Sequence, residues 1–121
     1  MPQVKDILAF MEELAPVELK MDFDNVGLLA GTLRGCVERV LVALDITDEV
    51  ISEAREVGAE LIISHHPLFF DGLKSVSDSS AAGKKVIALL QSGISATLMI
   101  DSSAAGRAFL RLEHNGFKRR I

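Results

Sequence analysis

Two adjacent histidines, His65 and His66, stand in the run Ser64-His65-His66-Pro67. Neutral imidazole offers a lone pair near neutral pH, which makes histidine the commonest protein metal ligand. Successive residues of an extended chain point to opposite sides, so two neighbouring imidazoles do not readily chelate one ion. They suit two ions, one each, with carboxylates shared between them, and paired sites of that kind activate water for hydrolysis. On pattern alone an equal alternative stands, in which one histidine closes a strand and the other faces water.

Other groups carry weaker signals. Asp45 ends an apolar run and reads first as a helix-entry residue, second as a cleft residue. Lys74, Ser75 and Ser77 follow the histidines and offer phosphate-binding groups, but nothing there has P-loop spacing. Cys36 is the only cysteine, which excludes an internal disulfide and a thiolate metal cluster; beside a strand it reads as a packing residue. No G-x-S-x-G elbow supports a serine nucleophile. The terminal Lys118-Arg119-Arg120 reads as a solvated basic end ahead of a phosphate site.

The elements that must position the histidines follow from periodicity. Val4, Ile7, Leu8, Met11 and Leu14 recur at helical spacing, so a helix is expected over 3–14, with Pro16 just beyond it. Residues 21–31 read as a turn at Asp24-Asn25 and then a short strand. Residues 37–44 form a strand candidate whose Val40-Leu41-Val42-Ala43-Leu44 stretch is apolar without alternation, the mark of burial on both faces. Thr47 is placed to cap a helix with Asp48 and Glu49 in its first turn, Val50, Ile51, Ala54 and Val57 on its inner stripe and Gly58 at its end. Leu61-Ile62-Ile63 is a second buried strand. Strand, helix and strand in this order make one βαβ unit with parallel strands, right-handed by rule. A serine-rich loop over 71–82, a helix over 84–91, a strand over 94–100 and a helix over 104–114 complete the reading. The fold class is α/β, a small layered domain over 1–121 with a mixed, mostly parallel sheet. The histidines fall just past a strand's carboxyl end, where sites gather in open α/β sheets.

Bulk properties narrow the classes. Of 121 residues, 49% are hydrophobic and 25% charged, the balance of a soluble globular domain. No apolar run approaches the ~20 residues of a membrane span, and the amino terminus lacks a signal-peptide pattern, so the cytoplasm is the expected compartment. A formal charge of −4 without tryptophan or tyrosine argues against a nucleic-acid surface.

Three longer motifs carry a resemblance. Met21-Asp22-Phe23-Asp24-Asn25-Val26-Gly27-Leu28-Leu29-Ala30-Gly31, Val40-Leu41-Val42-Ala43-Leu44-Asp45-Ile46-Thr47 and Gly58-Ala59-Glu60-Leu61-Ile62-Ile63-Ser64-His65-His66-Pro67-Leu68 resemble, in order, the signatures of the NIF three-like family, also known as GTP cyclohydrolase I type 2 homologues. The resemblance implies the family's fold, with this chain corresponding to the amino-terminal part of longer members. It implies a centre of two divalent ions (zinc, iron or manganese) inside a ring-shaped homohexamer, with one ion on each histidine. Water activated there would attack a nucleotide such as GTP. The alternative is a non-catalytic metal-binding or regulatory oligomer. Asp24 and Asn25 match the signature as turn-formers that shape a wall near the site.

Two departures matter. After Gly93-Ile94-Ser95 the chain reads Ala96-Thr97-Leu98-Met99-Ile100-Asp101, shorter than the family pattern and without its histidine. The downstream register, from Ser102 to Phe117, puts Asp101 on the family's third metal ligand; a plain strand-end or helix-cap aspartate is the other reading. The family's last histidine and glutamate have no counterpart, since Glu113 and His114 fall at the end of a helix. The expectation is a shortened member whose centre is incomplete, or is completed by another subunit or by water.

Overall fold

The computed structural model describes residues 2–14, 27–65, 75–98 and 118–119. Their elements are α1 (Val4–Leu14), β1 (Gly27–Ala30), β2 (Val40–Ala43), α2 (Asp48–Val57), β3 (Leu61–Ser64), α3 (Ala81–Gln91), β4 (Ser95–Leu98) and β5 (Lys118–Arg119). The strands form one sheet in the order β1-β4-β3-β2-β5. β2, β3, β4 and β5 run parallel, and β1 lies antiparallel on one edge. This is the mixed, mostly parallel sheet expected from the sequence. The helix expected over 104–114 lies outside the described residues.

The central strands are apolar because both faces are covered. Every residue of β2 and β3 is buried, and the pleat sends alternate side chains to two separate cores. On one face Leu41, Ala43, Ile62 and Ala96 pack with Ile51 and Ala54 of α2 and with Val86 and Leu89 of α3. On the other, Val40, Val42, Leu61 and Ile63 pack with Val4, Ile7 and Met11 of α1. Three layers result: α1, the sheet, then α2 with α3. Burial of one side chain such as Ile62 contributes about 1.5–3 kcal/mol.

Local chemistry fixes the helix ends. The Val50 N–H donates to Thr47 Oγ1 at 3.2 Å, and Gly58 closes α2 with φ 72°, donating its N–H to the carbonyls of Ala54 and Arg55. A left-handed residue there favours glycine. α3 starts at Ala81, earlier than periodicity indicated, because Ser80 Oγ accepts from the Gly83 N–H at 3.0 Å. The serine-rich stretch thus ends in a helix cap. The first N–H groups of α1 are met by a loop: Val4 donates to Gly35 O and Lys5 to Leu33 O, both at 2.9 Å.

Three expectations need correction. Val37 is buried but lies outside the sheet, because its N–H donates to Pro2 O at 2.8 Å. Cys36 is exposed and forms an isolated antiparallel bridge with Gln3, so it is not a core packing residue. Lys118 and Arg119 are not simply a solvated tail; their backbone adds a parallel edge strand to β2, opposite Leu41 and Val42. Among the described residues, no helix is long and apolar enough to cross a membrane.

Candidate functional site

The parallel strands end together. Ala43 of β2, Ser64 of β3 and Leu98 of β4 form the last rung. Everything that leaves the sheet at this rung gathers on its carboxyl edge, the side on which α/β proteins place their sites. His65 is the next residue of β3 and Asp45 lies two residues past the end of β2. β1 runs the other way, and its first residue, Gly27, pairs with Leu98. Asp24 and Asn25 lie outside the described residues.

His65 is half-buried, the first residue beyond four fully buried ones. Its backbone N–H donates to Ala43 O at 3.2 Å. The main chain is therefore held to β2 one step past the last rung, and the imidazole emerges from a fixed point. Leu44 and Asp45, which follow β2, are exposed, and Thr47 then caps α2. Beneath this edge are two buried polar residues, Ser64 and Thr97, with Ser64 Oγ donating to Thr97 O at 3.5 Å. The sequence reading singled out the histidines and passed over Ser64. Its signal was a lone hydroxyl closing an otherwise apolar strand.

The opposite end of the sheet is held by Glu60. Its carboxylate accepts from the N–H groups of Glu38 at 2.6 Å and Arg39 at 3.0 Å. Its own N–H donates to Arg39 O, and its carbonyl accepts from Ser95 N. β2, β3 and β4 are thereby aligned at their start, which sets the height at which they end.

Of the expected ligands, the structure places His65; His66 and Asp101 lie outside the described residues, as do Glu113 and His114. Among the described residues, no three of histidine, cysteine, aspartate and glutamate come together as a metal cluster. His65 is half-buried on a backbone tied to β2, and imidazole is by its chemistry a metal donor. Of the phosphate candidates, Lys74 lies outside the described residues, and Ser77 is engaged locally, its Oγ 2.6 Å from Ser79 Oγ. Two concavities are formed by other described residues. One follows the acidic outer face of α2, along Asp48, Glu49, Ser52, Glu53 and Glu56. The other lies at the amino ends of the strands, between Arg55, Gly58, Glu60 and Ser92.

Comparison with known proteins places this arrangement. Residues 2–110 match the family model Duf34/NIF3 (NGG1p interacting factor 3). A Clostridium perfringens protein named GTP cyclohydrolase 1 type 2 homolog is 41% identical over 98% of this chain and 47% of its own length. A Clostridium acetobutylicum protein of the same name is 39% identical, over 86% of this chain and 40% of its own. This chain thus spans less than half the length of these relatives. Among solved structures, a Bacillus cereus protein related to NIF3 superposes with a TM-score of 0.75 at 37% identity, covering 82% of this chain and 27% of that one. Reduced HcgD from Methanocaldococcus jannaschii superposes with a TM-score of 0.71 at 30% identity, over 79% of this chain and 38% of its own.

Proposed function

Because the chain belongs to the Duf34/NIF3 family, we propose that it is a divalent-metal-binding protein with His65 and His66 as ligands and Asp101 as a third. One observation carries this reading: His65 is held half-buried on the carboxyl edge of the sheet, its backbone tied to Ala43 at 3.2 Å. The donor set is imidazole with carboxylate, which suits zinc, iron or manganese. Opposed directions of two neighbouring side chains favour one ion on each histidine over chelation of a single ion.

Within this reading, the protein's residues bind and orient. His65 presents its imidazole from a fixed main chain. Ser64 and Thr97 are buried in the strands that lead to it. The metal pair, when bound, supplies a Lewis acid and a water activated for hydrolytic attack. The relatives' names, GTP cyclohydrolase 1 type 2 homolog, point to a purine nucleotide as the substrate class and hydrolysis as the reaction. Self-association into a ring, a hexamer on the family pattern, is part of this reading.

The alternative reading is a metal-binding or regulatory oligomer without turnover. The discriminating experiment incubates the metal-loaded protein with GTP and follows ring opening by absorbance and mass. Turnover that disappears on chelation and in His65→Ala supports the hydrolase. Stoichiometric metal without turnover supports the second reading.

A further inference from the structure

We propose that the hollow at the amino ends of the parallel strands binds a phosphate group, held by Arg39 and Arg55. The hollow has a volume of about 350 Å³, within the roughly 300–1,000 Å³ of small-molecule sites. Its wall is formed by Arg55 and Gly58 at the end of α2, Glu60 before β3, and Ser92, Gly93 and Ile94 between α3 and β4. Arg39 precedes β2 and stands at the Gly58 rim. Its Nη1 lies 3.1 Å from the point where a side chain at Gly58 would begin.

The backbone here has its N–H groups committed. Gly58 and Ala59 donate to carbonyls of α2, Glu60 to Arg39 O, and Gly93 and Ile94 to carbonyls of α3. Donors for a ligand must therefore come from side chains. Among the described residues, Arg39 makes no side-chain hydrogen bond or ion pair, and Arg55 makes one, from Nε to Ser92 Oγ at 2.6 Å. That bond runs from α2 to the cap of α3 and fixes the guanidinium while its Nη groups stay uncommitted. A planar guanidinium with N–H groups to spare matches the oxygens of a phosphate. Glu60 is the one carboxylate on the wall, and its Oε1 is taken up by two amides of β2, at 2.6 and 3.0 Å. Two arginines against one glutamate leave the wall and rim net positive. The dipole of α2 also favours positive charge at its carboxyl end. It accounts for the charge but not for the tie that holds Arg55 to Ser92 beside an open hollow.

The test titrates the metal-free full chain with inorganic phosphate and with glycerol phosphate, a phosphate monoester. Calorimetry is done at low ionic strength, where exposed charges are least screened. Saturable binding is expected. It should weaken about tenfold in Arg39→Gln or Arg55→Gln, as for loss of one charge-assisted bond, and vanish in the double variant. Both positions are exposed, so circular dichroism should be the same in all variants. His65→Ala, at the carboxyl edge, should bind phosphate as the wild type does. Tighter binding of the ester assigns the hollow to a phosphorylated metabolite, and equal binding assigns it to the free ion. Absence of saturable binding in the wild type overturns the proposal, as does undiminished binding in the double arginine variant. Loss of binding in His65→Ala also overturns it, because the anion would then sit at the histidine edge.

Discussion

The backbone N–H of His65 donates to the carbonyl of Ala43 at 3.2 Å, one step beyond the last paired residues of β2 and β3. The residue proposed to bind metal is thus anchored by its main chain just past the buried strand.

Because His65 is half-buried and its bond to β2 is made by the main chain, replacing the imidazole should spare the fold. His65→Ala is expected to change the stability of the metal-free protein by less than about 1 kcal/mol, as for substitutions outside the core. Zinc should behave differently. A ligand at a hundred times its dissociation constant stabilises a protein by about 2.7 kcal/mol. Thermal unfolding with and without zinc should show that gain in the wild type and little of it in His65→Ala. Equal zinc stabilisation in both would remove His65 from the ligand set.

Acid should release the metal. A protonated imidazole has no lone pair to donate and a protonated carboxyl binds weakly, so binding requires both groups deprotonated. Occupancy should be full at neutral pH and fall as the pH is lowered, because protons compete with the metal for the ligands. Equilibrium dialysis from neutral to acid pH checks the sign. Occupancy that rises in acid would contradict imidazole ligation.

Glu60 should matter more than an ordinary half-exposed glutamate. Its carboxylate accepts two backbone N–H groups, from Glu38 and Arg39, and bonds to a charged acceptor contribute about 1.5–3 kcal/mol each when sheltered. With partial exposure, Glu60→Ala is expected to cost about 1–3 kcal/mol in urea unfolding, and Glu60→Gln less. A loss below about 0.5 kcal/mol would mean the clamp is not felt in solution.

Gly31 should resist any side chain. It lies just after β1 with φ 114°, and a Cβ there would run into Ser95 Oγ. That hydroxyl is already engaged by the Thr32 N–H at 3.1 Å. Gly31→Ala combines backbone strain of about 1–3 kcal/mol with a clash at β4. A marked drop in melting temperature is expected, and an unchanged one would show that the edge strand shifts freely.

Much of this was legible in the sequence because the signals were local. Thr47 and Gly58 mark both ends of α2, and the unbroken apolar runs of β2 and β3 announce burial on two faces. Other features depend on distant partners. Val37 looks like strand but gives its N–H to Pro2, thirty-odd positions away in chain order. Lys118 and Arg119 look like a charged end, and only the free edge of β2 gives their backbone a ladder to join. Ser80 belonged to a serine-rich stretch, and its capping role emerged with the Gly83 N–H above it. At the candidate site, the histidine pair was evident from residue type and motif. The burial of Ser64 was not, because it depends on the rung that β3 shares with β2 and β4. His66 and Asp101 lie outside the described residues, so their roles rest on motif alone.

Metal content per chain tests the central claim most directly. The metal-free wild type and the His65→Ala/His66→Ala double variant are each equilibrated with zinc, freed of excess and measured for metal against protein. The account predicts two ions per wild-type chain, as a two-metal centre requires, and none in the double variant. Equal metal in the two proteins would contradict it.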